Sequence, residues 1–257
     1  MNKTKYYKEK IWLLFFLLFA ICTAMVFSKA VPQNINYHKF ADARTIATIP
    51  NFWNVLSNVP FLIIGIAGIY FLLRNKNYLK LSSLGINYII FFIGIFFIGI
   101  GSGNYHLQPN NDSIVWDRIP MTIAFMSFFS IIIGEFIHQQ NGKILLFPLI
   151  VLGITSVYYW HYTENISSGD LRFYFIVQFF PMFLIPLILI LFKQKSQHHL
   201  FIWLVLLSYF FAKLFETYDF ETYNYIVISG HTIKHFFAAL GPSLFLYSIW
   251  KRLKSLQ

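Results

Sequence analysis

Apolar residues fill this chain in long blocks, and polar residues are confined to short gaps between them. The blocks lie at about residues 11–27, 52–73, 84–106, 114–137, 144–160, 171–192, 199–217 and 224–250. A helix rising 1.5 Å per residue needs roughly 20 apolar residues to cross a bilayer, so each block predicts a membrane-crossing helix. The last is long enough to project beyond the bilayer. The gaps are short and polar, such as RNKNYLK at 74–80 and KQKSQHH at 193–199, and no linker or internal repeat separates the chain into parts. The expected fold is all-α, a polytopic transmembrane helical bundle of seven or eight helices in one domain.

Composition sharpens this picture. Of 257 residues, 57% are apolar, 21% aromatic and 12% charged, and the mean hydropathy is +0.59. Water-soluble domains carry about 25% charged residues, so this chain cannot dress a soluble surface. A net charge of +10 suggests nucleic acid until position is considered. Thirteen Lys and Arg residues fall on one side of the alternating gaps (Lys3, Lys5, Lys8, Lys10, Arg74, Lys76, Lys80, Lys143, Lys193, Lys195, Lys251, Arg252 and Lys254). Six fall on the other (Lys29, Lys39, Arg44, Arg118, Arg172 and Lys213). Such a bias sets orientation in a membrane; it places both termini in the cytoplasm, the gaps near 76, 142 and 196 inside, and those near 110, 166 and 220 outside. The partners expected are membrane lipids, with no role for nucleic acid. Cys22 is the only cysteine, which excludes disulfides within the chain and multi-thiolate metal sites.

The first block follows the basic stretch KTKYYKEK and ends at Ser28-Lys29-Ala30, which has the small-x-small form of a signal-peptidase site. We read residues 1–30 as an uncleaved anchor helix, the alternative being a signal peptide, and residues 31–257 as the membrane domain. Either reading puts residue 50 outside.

Polar groups inside a bilayer are costly and call for a partner or a task. Asn51, Asn54, Ser57 and Asn58 recur at helical spacing on one face, a pattern suited to hydrogen bonds between helices. Lys213 and Glu216, one turn apart, read as a structural ion pair. Five histidines (His38, His138, His161, His198 and His199) fall in or beside gaps and read as solvated. The other three differ. His106 closes the third block, and His231 and His235 stand one turn apart in the eighth, where i and i+4 share a helix face. An H-x-x-x-H pair alone also arises from packing. Topology adds to it, because all three histidines belong to the same outer half of the membrane. Three histidines with an open fourth position suit a catalytic zinc ion. Asp117, eleven residues after His106, supplies a carboxylate able to accept and return a proton. Ser102, four residues before His106, supplies a hydroxyl for an oxyanion. Taken singly, Asp117 also reads as a helix-start residue and Ser102 as a packing residue beside glycines.

The segments FWNVLSN (52–58), Ser102-x-x-x-His106, Asp117-x-x-Pro120-Met121 and His231-x-x-x-His235, in this order, resemble the alkaline ceramidases. These belong to a wider group of seven-helix membrane hydrolases that includes the adiponectin-receptor-like proteins. The resemblance spans about residues 50–250. It implies a seven-helix hydrolase core behind one extra N-terminal helix, as in bacterial relatives. It also implies zinc held by His106, His231 and His235, water activated by Asp117, the carbonyl assisted by Ser102, and cleavage of a ceramide-like lipid amide to sphingoid base and fatty acid. Animal members carry an acidic calcium-binding cluster before the first family helix. Here the matching position is Asn51, and Asp42 is the only acidic residue between 28 and 51, so calcium is not expected. Two rival classes remain open at this point. One is a non-enzymatic receptor or structural protein whose zinc clamps helices. The other is a transporter using Lys213, Glu216 and Asp117 as a charge relay.

Overall fold

The computed structural model describes residues 3–75, 83–166, 168–192 and 198–254. Ten helices follow one another among them: α1 (Lys3–Phe27), α2 (Phe52–Leu56), α3 (Val59–Arg74), α4 (Gly85–Leu107), α5 (Ser113–Ile132), α6 (Gln139–Ile166), α7 (Arg172–Leu191), α8 (His198–Thr217), α9 (Asp219–Ile226) and α10 (Gly230–Lys254). The described residues form no strand, only an isolated bridge between Ile46 and Ile49. With no water to satisfy backbone groups in lipid, the helix is the form an apolar chain of this kind must take.

Among the described residues, seven spans are long and apolar enough to cross a membrane: Tyr6–Phe27, Phe52–Arg74, Gly85–Leu107, Ser113–Ile137, Gln139–Ile166, Arg172–Leu191 and His199–Thr217. The protein is therefore a multi-pass membrane protein. Helix α10 has the length, at 25 residues, but falls short in apolar character because His231, Lys234 and His235 occupy its first half. It is nonetheless part of the bundle, packed against α8 and α3.

The core forms around α4 and α5, which pack on each other and on α3 and α6. Phe92, Ile131, Ile132 and Phe245 are fully enclosed within it. Helix α1 sits at the edge and packs on α7. Its C-terminal end is fastened by Arg172, whose Nη1 donates to the carbonyls of Met25 at 3.1 Å and Ser28 at 2.5 Å.

Three boundaries differ from the sequence reading. The gap placed near 142 is helix: α5 runs through a π-helical turn at Ile133–Ile137 and the chain reverses at His138, so Gly142 already packs inside α6. A Cβ at Gly142 would collide with the Gly134 backbone, and this close fit of two glycines lets the turn be so short. The block at 224–250 is two helices. Val227 takes a left-handed conformation (φ 60°) that ends α9, and the Ser229 hydroxyl accepts from Thr232 N at 2.9 Å, the N-cap bond that starts α10 afresh. The block at 52–73 is also interrupted, at Ser57–Asn58, between α2 and α3. The gaps near 76 and 196 lie outside the described residues.

Candidate hydrolytic centre

Helix α4 carries Ser102 and His106 near its C-terminal end, and α5 begins six residues after α4 stops. Pro120 has no backbone N–H, so the Trp116 carbonyl four residues earlier loses its helical donor. Gly101 meets that carbonyl: a Cβ there would collide with the Trp116 oxygen. The Pro–Gly combination draws α4 and α5 together and sets the Asp117 carboxyl beside the Ser102 hydroxyl.

His231 and His235 reach the same place from α10. Their orientation starts at the Ser229 cap and at Asp219, whose Oδ1 accepts from His231 N at 2.8 Å. Asn54 holds the cap from the other side, its Oδ1 accepting from Thr232 Oγ1 at 2.8 Å and Ser229 Oγ at 3.2 Å. The polar face of residues 51–58 does link helices, as its spacing suggested, and it links them at the histidines. Asn51 Nδ2 donates to the His106 carbonyl at 2.9 Å. Ser57 Oγ lies 2.7 Å from His235 Nδ1.

The three histidines are buried and offer one ring nitrogen each within 4.8 Å of the others. His106 Nε2 and His231 Nε2 stand 3.3 Å apart. Two nitrogens bound tetrahedrally to zinc at about 2.0–2.1 Å stand at nearly this separation. His106 Nδ1 is buried without a hydrogen-bond partner among the described residues. These observations fit a transition metal: three imidazoles, a nitrogen spacing of the right size, and, among the described residues, no carboxylate or amide hydrogen-bonded to the rings instead. The ring of Phe40 covers this cluster, 4.7 Å from both His106 and His231.

Phe40 belongs to a segment that lies across this end of the bundle and is pinned along its length. Gln33 Oε1 accepts from Arg118 Nη2 at 2.7 Å, and Ala41 N donates to Asp219 Oδ2 at 3.0 Å. His38 bridges the Tyr105 hydroxyl and Asn111 Oδ1, both at 2.9 Å. It is therefore a structural tie rather than the solvated residue expected. His161 likewise meets Asp112, at 2.9 Å.

A cavity of about 140 Å³ opens beside His235. Its walls are mainly apolar, with Phe61, Phe91, Ile95, Phe128, Met182 and Val205 among them. Its polar lining includes Ser102, Asp117 and His235, together with Gln178 and Tyr209. Lys213, Glu216 and Lys234 complete it. Glu216 is salt-bridged to Lys213 at 2.5 Å, the pair expected from the sequence. It also holds Lys234 at 2.8 Å, a cation that the hydropathy pattern hides because it lies within an apolar block. The available signal was its position in His231-Thr-Ile-Lys234-His235: a cation inside a membrane helix is by default a functional candidate.

Comparison with known proteins bears on this geometry. A family model described as Ceramidase matches residues 41–249, a stretch that takes in α2 to α10 up to its last turns, with Ser102, His106, Asp117, His231 and His235. No curated protein sequence matches the chain.

Proposed function

The chain belongs to the ceramidase family, and on that premise we propose that it is a zinc-dependent membrane hydrolase cleaving the amide bond of a ceramide-like lipid into a sphingoid base and a fatty acid. The observation that carries this reading is a cluster of three buried histidines, one of which, His235, lines an apolar cavity together with Asp117 and Ser102. A lipid amide matches that cavity in kind: a polar linkage to be cut, attached to long apolar chains.

In this reading His106, His231 and His235 hold the zinc, which supplies a Lewis acid and lowers the pKa of water when bound. The chain's own residues do the rest. Asp117 accepts a proton from the attacking water and later delivers it to the departing amine, one carboxylate serving both steps. Ser102 donates a hydrogen bond to the carbonyl oxygen as negative charge develops there. The apolar walls take the hydrocarbon chains, and Phe40 with its segment keeps bulk water from the histidine end. The Lys/Arg bias puts this end at the outer face of the membrane with both termini inside.

The test is release of fatty acid and sphingoid base from a ceramide in mixed micelles by purified protein. Turnover that stops on chelation and returns with zinc supports the reading. A protein that contains zinc but releases nothing from any lipid amide would instead favour a helix clamp.

A further inference from the structure

Amide hydrolysis at the centre leaves Lys213, Glu216 and Lys234 without a task. Ion pairs inside a membrane protein are costly, and this one is larger than a structural pair requires. Helices α8 and α10 already pack along their lengths, and a single lysine would neutralise Glu216. Two are present. Glu216 Oε1 also accepts from the Tyr37 hydroxyl at 3.2 Å, so its oxygens are well supplied with donors. Each ammonium carries three N–H groups and, among the described residues, each has one hydrogen-bond acceptor, Glu216. Both lysines line the cavity. Asp117 lines it too, and balances the surplus positive charge only while it is ionised; once it takes up a proton the cluster is one negative charge short.

Position adds to this. Lys213 lies in the last two turns of α8 and Lys234 in the second turn of α10, so both stand at the histidine end of the cavity. The apolar walls at Phe91, Phe128 and Gly241 lie further along. An amphiphile whose chain fills that apolar part presents its polar group to the two ammoniums.

We propose that Lys213 and Lys234 form an oxyanion subsite beside the hydrolytic centre, taking a carboxylate or phosphate that the lipid amide carries on its headgroup or that appears as the carboxylate of the cleaved acyl chain. Glu216 holds the two ammoniums in place and tempers their charge. The proposal rests on reading the cavity as the lipid site, and it favours an amphiphile that carries an oxyanion, as substrate or as product, over a neutral one.

Matched amphiphiles test it by binding, without turnover. The full chain in detergent micelles is titrated by calorimetry with N-dodecanoylglycine, with its neutral counterpart N-dodecanoylethanolamine, and with dodecanoate. Wild type should bind N-dodecanoylglycine or dodecanoate about tenfold or more tightly than the neutral amide, the scale of one charge-assisted hydrogen bond. In Lys213→Met and Lys234→Met, checked for unchanged zinc content and a single size-exclusion peak, that preference should shrink towards one while the neutral amide binds as before. Lysine dependence for N-dodecanoylglycine assigns the oxyanion to the headgroup; dependence for dodecanoate alone assigns it to the product. Glu216→Gln, nearly the same in shape, should raise the preference, and it decides the question if the lysine variants do not fold. An equal affinity for all three amphiphiles overturns the proposal. So does a loss in the lysine variants that strikes the neutral amide equally, which would mark the cluster as structural. Either failure leaves hydrolysis of a neutral ceramide standing.

Discussion

The Ser57 hydroxyl donates to the Asn54 carbonyl at 3.0 Å, so towards His235 Nδ1, 2.7 Å away, it acts as acceptor. In that arrangement the proton of His235 sits on Nδ1 and Nε2 keeps its lone pair, the state a metal ligand needs. Ser57→Ala should therefore weaken zinc binding about 10–100-fold without unfolding the protein, as measured by zinc retained against a graded chelator series. Unchanged retention would remove Ser57 from the site. At this scale the sequence was partly legible. The three histidines stood out because two shared a helix face and the alternation of blocks put the third at the same end. Ser57 appeared only as one of four polar residues on a face, because its partner lies 178 residues away. Lys234 was hidden for the opposite reason: a single charge within an apolar block leaves the block's periodicity intact.

Helix breaks and caps were the least legible features of the elements. Residues 224–228 are apolar apart from Asn224 and continue the pattern of the following helix, so hydropathy cannot see that Val227 is left-handed. The Ser229-Gly230 pair was the available signal. Removing the cap by Ser229→Ala should cost about 1 kcal/mol and loosen the histidine pair with it. A drop in thermal midpoint accompanied by weaker zinc retention is expected; a drop in midpoint alone would separate the cap from the site. The segment over the histidines makes a second prediction. Asp42 is buried and bonded to Arg44, with Nη2 to Oδ2 at 2.5 Å, and the guanidinium holds its carboxyl below the usual carboxylate range. A group with a lowered native pKa contributes stability above its unfolded value, near 3.9, and loses it as acid titrates the native carboxylate. Wild type should thus unfold at a higher temperature than Asp42→Asn near pH 6. The gap should close as pH falls below about 4. A gap independent of pH would mean that the pair does not anchor the segment.

For the whole molecule, the order of the long apolar segments followed from hydropathy, because the bilayer demands long apolar runs whatever their partners, but two of the eight blocks each proved to hold a break between helices. How those helices approach one another did not. The contact that sets Asp117 beside Ser102 depends on Gly101 meeting a carbonyl freed by Pro120, a coincidence between two helices that no single window contains. Orientation is a prediction at this scale. With Cys22 replaced, a cysteine at Asn110 or Glu221 should react with an impermeant maleimide in intact cells, and one at Gln140 only after permeabilisation; the reverse pattern would place the histidine end inside. The central claim, that zinc and Asp117 act together on a lipid amide, is tested most directly by Asp117→Asn. This change preserves shape and removes the proton acceptor. Zinc content and fatty acid release from a ceramide are measured on the same purified samples of variant and wild type. The account predicts one zinc per chain in both and a rate about 10²–10⁴-fold lower in the variant; undiminished turnover at full zinc occupancy would contradict it.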